Sequence, residues 1–150
     1  RGLIAGALIF PLGYWILGSS FQVRDDRIAI IVGLMVLAAL IGATLGLTIG
    51  TLIKPEQLGL MFALIFTPLI FTGCTYYPWA GLANIRWFQI VTLFNPLTYA
   101  DEGLRFAMVK PPLSDVLQPL SMGWVLLALG GMLVVFTFTG MWSFRRRVVN

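Results

Sequence analysis

The sequence predicts an all-α fold: a polytopic membrane bundle of four transmembrane helices, with a re-entrant or interfacial helical hairpin between the last two. Three observations carry this. The chain is 59% hydrophobic and only 11% charged, where a soluble domain carries roughly a quarter charged residues. Its mean hydropathy is +0.91, and the apolar runs are long and unbroken rather than alternating, which selects helices over a closed barrel. Finally, the stretch 71–105 is rich in aromatics, marked by prolines and weakly charged, yet too apolar for an ordinary loop.

Residues 2–18 form the first expected span, at the short end of the spanning range. Pro11 lies inside it, and Tyr14 and Trp15 stand near its end, where amphipathic rings favour the headgroup region. A polar loop follows to Arg27, and its charges cancel. Adjacent Asp25 and Asp26 are a weak metal motif without further ligands, so a solvated loop with local ion pairs is the plainer reading.

Residues 28–53 form the second span. Gly42, Gly46 and Gly50 recur every four residues and so share one helix face. Such a ridge lets another helix backbone approach closely, with Thr44, Thr48 and Thr51 nearby to hydrogen-bond. Lys54-Pro55-Glu56-Gln57 is a tight turn, with Pro55 suited to a first helical position. Residues 58–73 form the third span, and Pro68 bends it.

The hairpin occupies about 76–110. Tyr76, Tyr77, Trp79, Trp87 and Phe88 make an aromatic belt. Asn95-Pro96 reads as helix N-cap and first helical residue. Asp101 and Arg105, four apart, are spaced to pair, and Lys110-Pro111-Pro112 stops the helix. The fourth span is 120–144, flanked by Trp124 and Trp142 and followed by Arg145, Arg146 and Arg147.

Charge sets the expected orientation. With the C-terminus inside, Arg1, Lys54 and the three terminal arginines face the cytoplasm against Glu56 alone. On the other side Arg24, Arg27, Arg86, Arg105 and Lys110 are balanced by Asp25, Asp26, Asp101, Glu102 and Asp115. The positive-inside rule therefore puts the hairpin outside. The net charge of +4 belongs to topology rather than to nucleic acid.

Several chemistries lack their parts. There is no histidine, and Cys74 is the single cysteine, so no internal disulfide forms. No Gly-x-x-x-x-Gly-Lys-Ser/Thr phosphate loop and no Gly-x-Ser-x-Gly elbow occurs. The acidic residues lie in loops and the hairpin, which disfavours a proton relay along the spans. These gaps make the chain a poor enzyme and leave open the passage half of a machine powered elsewhere. A passive pore wants rings of charge or a polar filter, and a lipid-modifying enzyme would rest on Asp25-Asp26 alone.

One order of residues is more specific: Pro68, Gly73, Tyr77-Pro78, an amphipathic run from Ile85 to Phe94, Asn95-Pro96-Leu97-Thr98-Tyr99, then Arg105. In this order and spacing the chain resembles the C-terminal part of ABC-2 type permeases, the membrane subunits of one class of ATP-binding cassette exporters. The resemblance implies a six-helix permease with both termini cytoplasmic, of which this chain supplies the last four spans of a longer protein. It implies two cassette ATPase subunits, which hold the ATP and Mg, and a second permease copy or homologue; this chain holds no cofactor of its own. It further implies an export route bordered by Met61, Ile65, Pro68 and Thr72, and an outer-gate hairpin shaped by Tyr77, Pro78, Asn95, Pro96, Tyr99, Asp101 and Arg105. The expected function is efflux of an amphipathic drug, antibiotic or lipid across the cytoplasmic membrane, as in drug resistance. Polysaccharide export is the family alternative.

Overall fold

A computed structural model of the chain describes residues 2–18, 24–52, 55–110 and 117–148. Arg1, the Lys54 position, the two prolines after Lys110, and the side chains of Asp25, Arg146 and Arg147 lie outside the described residues. Among the described residues every regular element is helical, as the unbroken apolar runs require.

Helix α1 is Gly2–Leu17, with Pro11 inside it. A short 3-10 turn, Asp25–Arg27, leads into α2, Ile28–Leu52. The third apolar run is built in pieces: a 3-10 turn at Pro55–Gln57, α3 at Leu58–Met61, a π-helical turn at Phe62–Phe66, and α4 at Thr67–Thr72. The hairpin holds a 3-10 turn, Trp79–Leu82, then α5, Arg86–Thr92, and α6, Pro96–Met108. Helix α7 is Met122–Val148.

Among the described residues two helices are long and apolar enough to cross a bilayer. Their windows are Ile28–Thr51 and Met122–Arg145, each 24 residues, or about 36 Å at the helical rise against a hydrocarbon core of about 30 Å. The runs Gly6–Ile16 and Gly59–Thr72 are apolar but shorter.

The core lies where α2, α6 and α7 meet. Helix α6 is the amphipathic member: Tyr99, Gly103 and Ala107 recur every four residues and are buried. They face Ile31 and Leu34 of α2 and Val125 and Leu129 of α7. Gly103 sets the approach. A Cβ there would stand 2.9 Å from Val125 Cγ1 and 3.1 Å from Leu34 Cδ2, so a side chain would push α6 off both neighbours.

Helices α2 and α7 run parallel. Leu34 and Val125, near their starts, flank the same Gly103. Near their ends, the Thr51 and Ser143 hydroxyls are 3.0 Å apart. Between these points Gly140 of α7 lies against α2, its Cβ direction 3.0 Å from Thr48 Oγ1. The starts of α2 and α7 therefore share one end of the molecule with the hairpin.

The glycine ridge departs from its expected role. Gly42, Gly46 and Gly50 are exposed, and no atom lies within 4 Å of a Cβ added at any of them. Ile41, one residue before Gly42, is buried in the core. One residue is about 100° of helix rotation, so the ridge is turned away from α7. The close glycine contacts with α2 come instead from Gly6 of α1, Gly103 of α6 and Gly140 of α7.

The expected bend at Pro68 takes the form of a change in helix type. Proline brings no N–H to an α-helical ladder, and a π-helical turn directly precedes the piece of helix that contains it.

Candidate functional site

The hairpin begins at a backbone corner. Cys74 is buried and adopts φ 58°, a left-handed conformation costing a side-chain-bearing residue about 1–2 kcal/mol. Arg105 holds the corner, its Nη2 donating to the Cys74 carbonyl at 3.1 Å. The chain then runs extended through Pro78, φ −70° and ψ 145°, into the Trp79 turn. Trp79 and Gln89 close the hairpin reciprocally: the indole Nε1 donates to Gln89 O at 3.3 Å, and Gln89 Nε2 donates to Trp79 O at 3.2 Å. The Tyr77 hydroxyl donates back to Phe71 O, and its ring stands 6.4 Å from that of Phe88. Tyr76, Trp87 and Phe94 stay exposed, as belt aromatics do.

Asn95 caps α6 as its sequence predicts. Its side chain accepts the Leu97 N–H at 2.9 Å, and Pro96 occupies the first turn. The same side chain reaches outside the hairpin. Its Nδ2 donates to Leu69 O at 2.6 Å and to Thr72 Oγ1 at 3.0 Å. Thr72 in turn donates to Pro68 O at 2.8 Å, and Thr98 donates to Thr92 O at 2.6 Å. The end of α4 is thus stitched to the start of α6.

The expected Asp101–Arg105 pair is corrected. Arg105 pairs with Glu102, three residues away, and Glu102 has no solvent exposure. Glu102 also accepts two backbone N–H groups, Trp79 at 2.9 Å through Oε1 and Leu120 at 3.2 Å through Oε2. Asp101 instead accepts the Thr75 hydroxyl at 2.6 Å. Burial pushes the Asp101 carboxyl above its ordinary range, while the Thr75 bond and the Arg105 charge act the other way. Burial decides the choice: Glu102 lies three and four residues from Tyr99 and Thr98, on the packed face of α6, where a charge needs a partner.

The start of α2 joins the same end. Arg27 Nη1 donates to Phe106 O at 3.3 Å, and its guanidinium lies 4.7 Å from the Phe106 ring centre. Beside it Arg24 grips Asp26 at 2.9 and 3.2 Å, which holds the Asp26 carboxyl below its ordinary range. Among the described residues no three His, Cys, Asp or Glu gather as a metal site.

The residues expected to share a route face are divided. Met61 is buried, Ile65 and Pro68 are exposed, and Thr72 is bonded into the hairpin. The intervening π-helical turn changes the residues per turn, so the four-residue spacing no longer marks one stripe. Of the four, Ile65 lines an apolar cavity of about 330 Å³. Its other walls include Gly42 and Gly46 of α2, Leu69 of α4, Leu97 of α6 and Leu129 of α7. The glycine ridge and the third apolar run therefore face each other across open space. Tyr99, by contrast, is a core residue at 4% exposure, and Pro96 is buried beside it.

Neither a curated protein nor a solved structure matches the chain. The family description "ABC-2 type transporter" matches residues 1–109, from the first helix to just past the end of α6. That span includes Glu102 and its partners Arg105 and Trp79, and Cys74, but not Leu120. The chain belongs to the ABC-2 type transporter family, as a membrane component that works with an ABC ATPase and is not itself that ATPase.

Proposed function

We propose that this chain is the route-forming and outer-gate portion of an ABC-2 exporter permease that moves an amphipathic compound (a drug, an antibiotic or a lipid) across the cytoplasmic membrane. The observation that carries the substrate class is the cavity between α2 and the third apolar run. Its walls are glycine, alanine, proline and large hydrophobic side chains, without a charge or a hydroxyl. Such a lining suits hydrocarbon and offers a glycan no hydrogen-bond partner.

Topology supports the orientation. The hairpin lies at the starts of the parallel helices α2 and α7, and Arg145 at the far end of α7. Four crossings with the basic end inside put the hairpin outside and the C-terminus in the cytoplasm. The shorter runs, α1 and α3–α4, cross where the bilayer thins locally around them. Two cassette ATPases, with ATP and Mg, drive two permease copies between inward- and outward-open states. The substrate gains direction only by binding the two states with different affinity. The hairpin, bonded to the end of α4 and packed on α2 and α7, serves as the outer gate.

The test is turnover in proteoliposomes holding the full-length permease and its ATPase. Amphipathic cations and short-chain lipids are expected to stimulate ATP hydrolysis and to move with it. Stimulation confined to a lipid-linked glycan would shift the reading to polysaccharide export.

A further inference from the structure

Glu102 is a fully buried acid in the hairpin, and its two oxygens serve different parts of the chain. Oε1 accepts the Trp79 N–H at 2.9 Å and the Arg105 guanidinium. Oε2 accepts the Leu120 N–H at 3.2 Å. Arg105 extends the tie to the Cys74 carbonyl at 3.1 Å. One carboxylate thus joins four places: the exit from α4, the first hairpin turn, α6, and the approach to α7.

Stability alone is a poor reason for this arrangement. Burying two charges costs much of what their attraction returns, and well-packed apolar side chains of similar volume commonly stabilise as well or better. What a charged acceptor adds is geometry, because it fixes the distance and direction of each N–H that it takes. Trp79 and Leu120 bring only their backbone N–H groups to the tie, so Glu102 holds main chain rather than side chain at both places. Gly103, the next residue, places α6 in close contact with Val125, three residues beyond the start of α7.

We propose that Glu102 is a positioning residue of the transport cycle: through Trp79 and Leu120 it locks the hairpin to the start of α7, so that the two move as one body. The inference rests on the permease reading above. Movement of α7 driven from the ATPase end then reaches the outer gate without slack.

Spin labels at Gly81→Cys and Ser121→Cys, both exposed positions, straddle the tie, and the natural Cys74 is buried. A second pair, Gly50→Cys and Gly59→Cys, reports the far ends of α2 and α3. The full-length permease with its ATPase, in lipid nanodiscs, is measured nucleotide-free and trapped with ADP-vanadate. Trapping is expected to shift the second pair and to leave the first unchanged. Glu102→Gln, whose amide nitrogen cannot accept an N–H, is expected to widen the first distance distribution and make it nucleotide-dependent, with ATP hydrolysis retained. Arg105→Lys, which keeps the charge, is expected to preserve the narrow distribution.

A first pair that shifts in the unsubstituted protein overturns the proposal, whether or not the Gln variant folds. A Glu102→Gln distribution as narrow as the parent's overturns it too. If no ATPase is retained, the permease reading fails separately, while the width of the first pair in lipid still decides the tie.

Discussion

Asn95 and Thr72 join the hairpin to the helix before it: Asn95 Nδ2 donates to Thr72 Oγ1 at 3.0 Å and to Leu69 O at 2.6 Å, while its Oδ1 caps α6. One side chain thus starts one helix and finishes another. Asn95→Ala removes the cap, worth about 1 kcal/mol, and unpairs the Leu69 carbonyl, worth about 1–3 kcal/mol. Asn95→Asp keeps the cap and loses the donor. Thermal unfolding in lipid is expected to rank the parent above Asp, and Asp above Ala. Equal losses for Asp and Ala would show that the cap contributes nothing.

Arg105 neutralises a carboxylate that has no access to water. Arg105→Ala leaves Glu102 buried without a counter-ion, a change that costs about 3–5 kcal/mol at such sites. The double variant Arg105→Met/Glu102→Gln is expected to recover part of that loss. Detergent-resistance melting curves measure both. An undiminished loss in the double variant would place the defect in the Arg105–Cys74 bond instead.

Two glycine substitutions separate packing from open space. Gly103→Val drives a side chain into Val125 and Leu34 and is expected to cost about 1–3 kcal/mol by overpacking. A Cβ at Gly46 meets no atom within 4 Å, and the position lines the apolar cavity, which leaves room for Gly46→Leu. Its folded yield is expected to match the parent's while transport falls. A collapse in yield for Gly46→Leu would mean that another helix, outside this chain, lies against the ridge.

Asp101 gives a pH dependence of definite sign. Its carboxyl is raised by burial, so the folded protein binds that proton more tightly than the unfolded chain. The stabilisation is present below the ordinary carboxylate range and is lost as pH rises through the raised value. Asp101→Asn is expected to flatten this part of the stability profile, read by melting temperature between acid and neutral pH. An identical slope in the variant would assign the dependence to another acid.

The reach of the sequence follows from the range of each interaction. The helical class came from hydropathy runs, and the α6 cap from two adjacent residues, Asn95 and Pro96. Both are local. The donors of Asn95 to Leu69 and Thr72 span more than twenty residues and leave no mark in a one-dimensional pattern. Glu102 was legible in principle, since it falls on the face marked by Thr98, Tyr99 and Gly103. The i, i+4 spacing of Asp101 and Arg105 competed with the i, i+3 spacing of Glu102 and Arg105, and burial settled it. The stripe of Met61, Ile65, Pro68 and Thr72 assumes an unbroken α-helical period, and the π-helical turn before Pro68 changes that period. Gly42 and Gly46 were recognised as a surface, but spacing alone does not say which helix a surface meets.

The most direct test is whether the full-length protein co-purifies with a cassette ATPase and shows vanadate-sensitive ATP hydrolysis coupled to movement of an amphipathic compound. All three are expected, with transport abolished when the ATPase is inactivated. Transport that continues in membranes without any ATPase would contradict the permease reading and make the chain part of a passive pore.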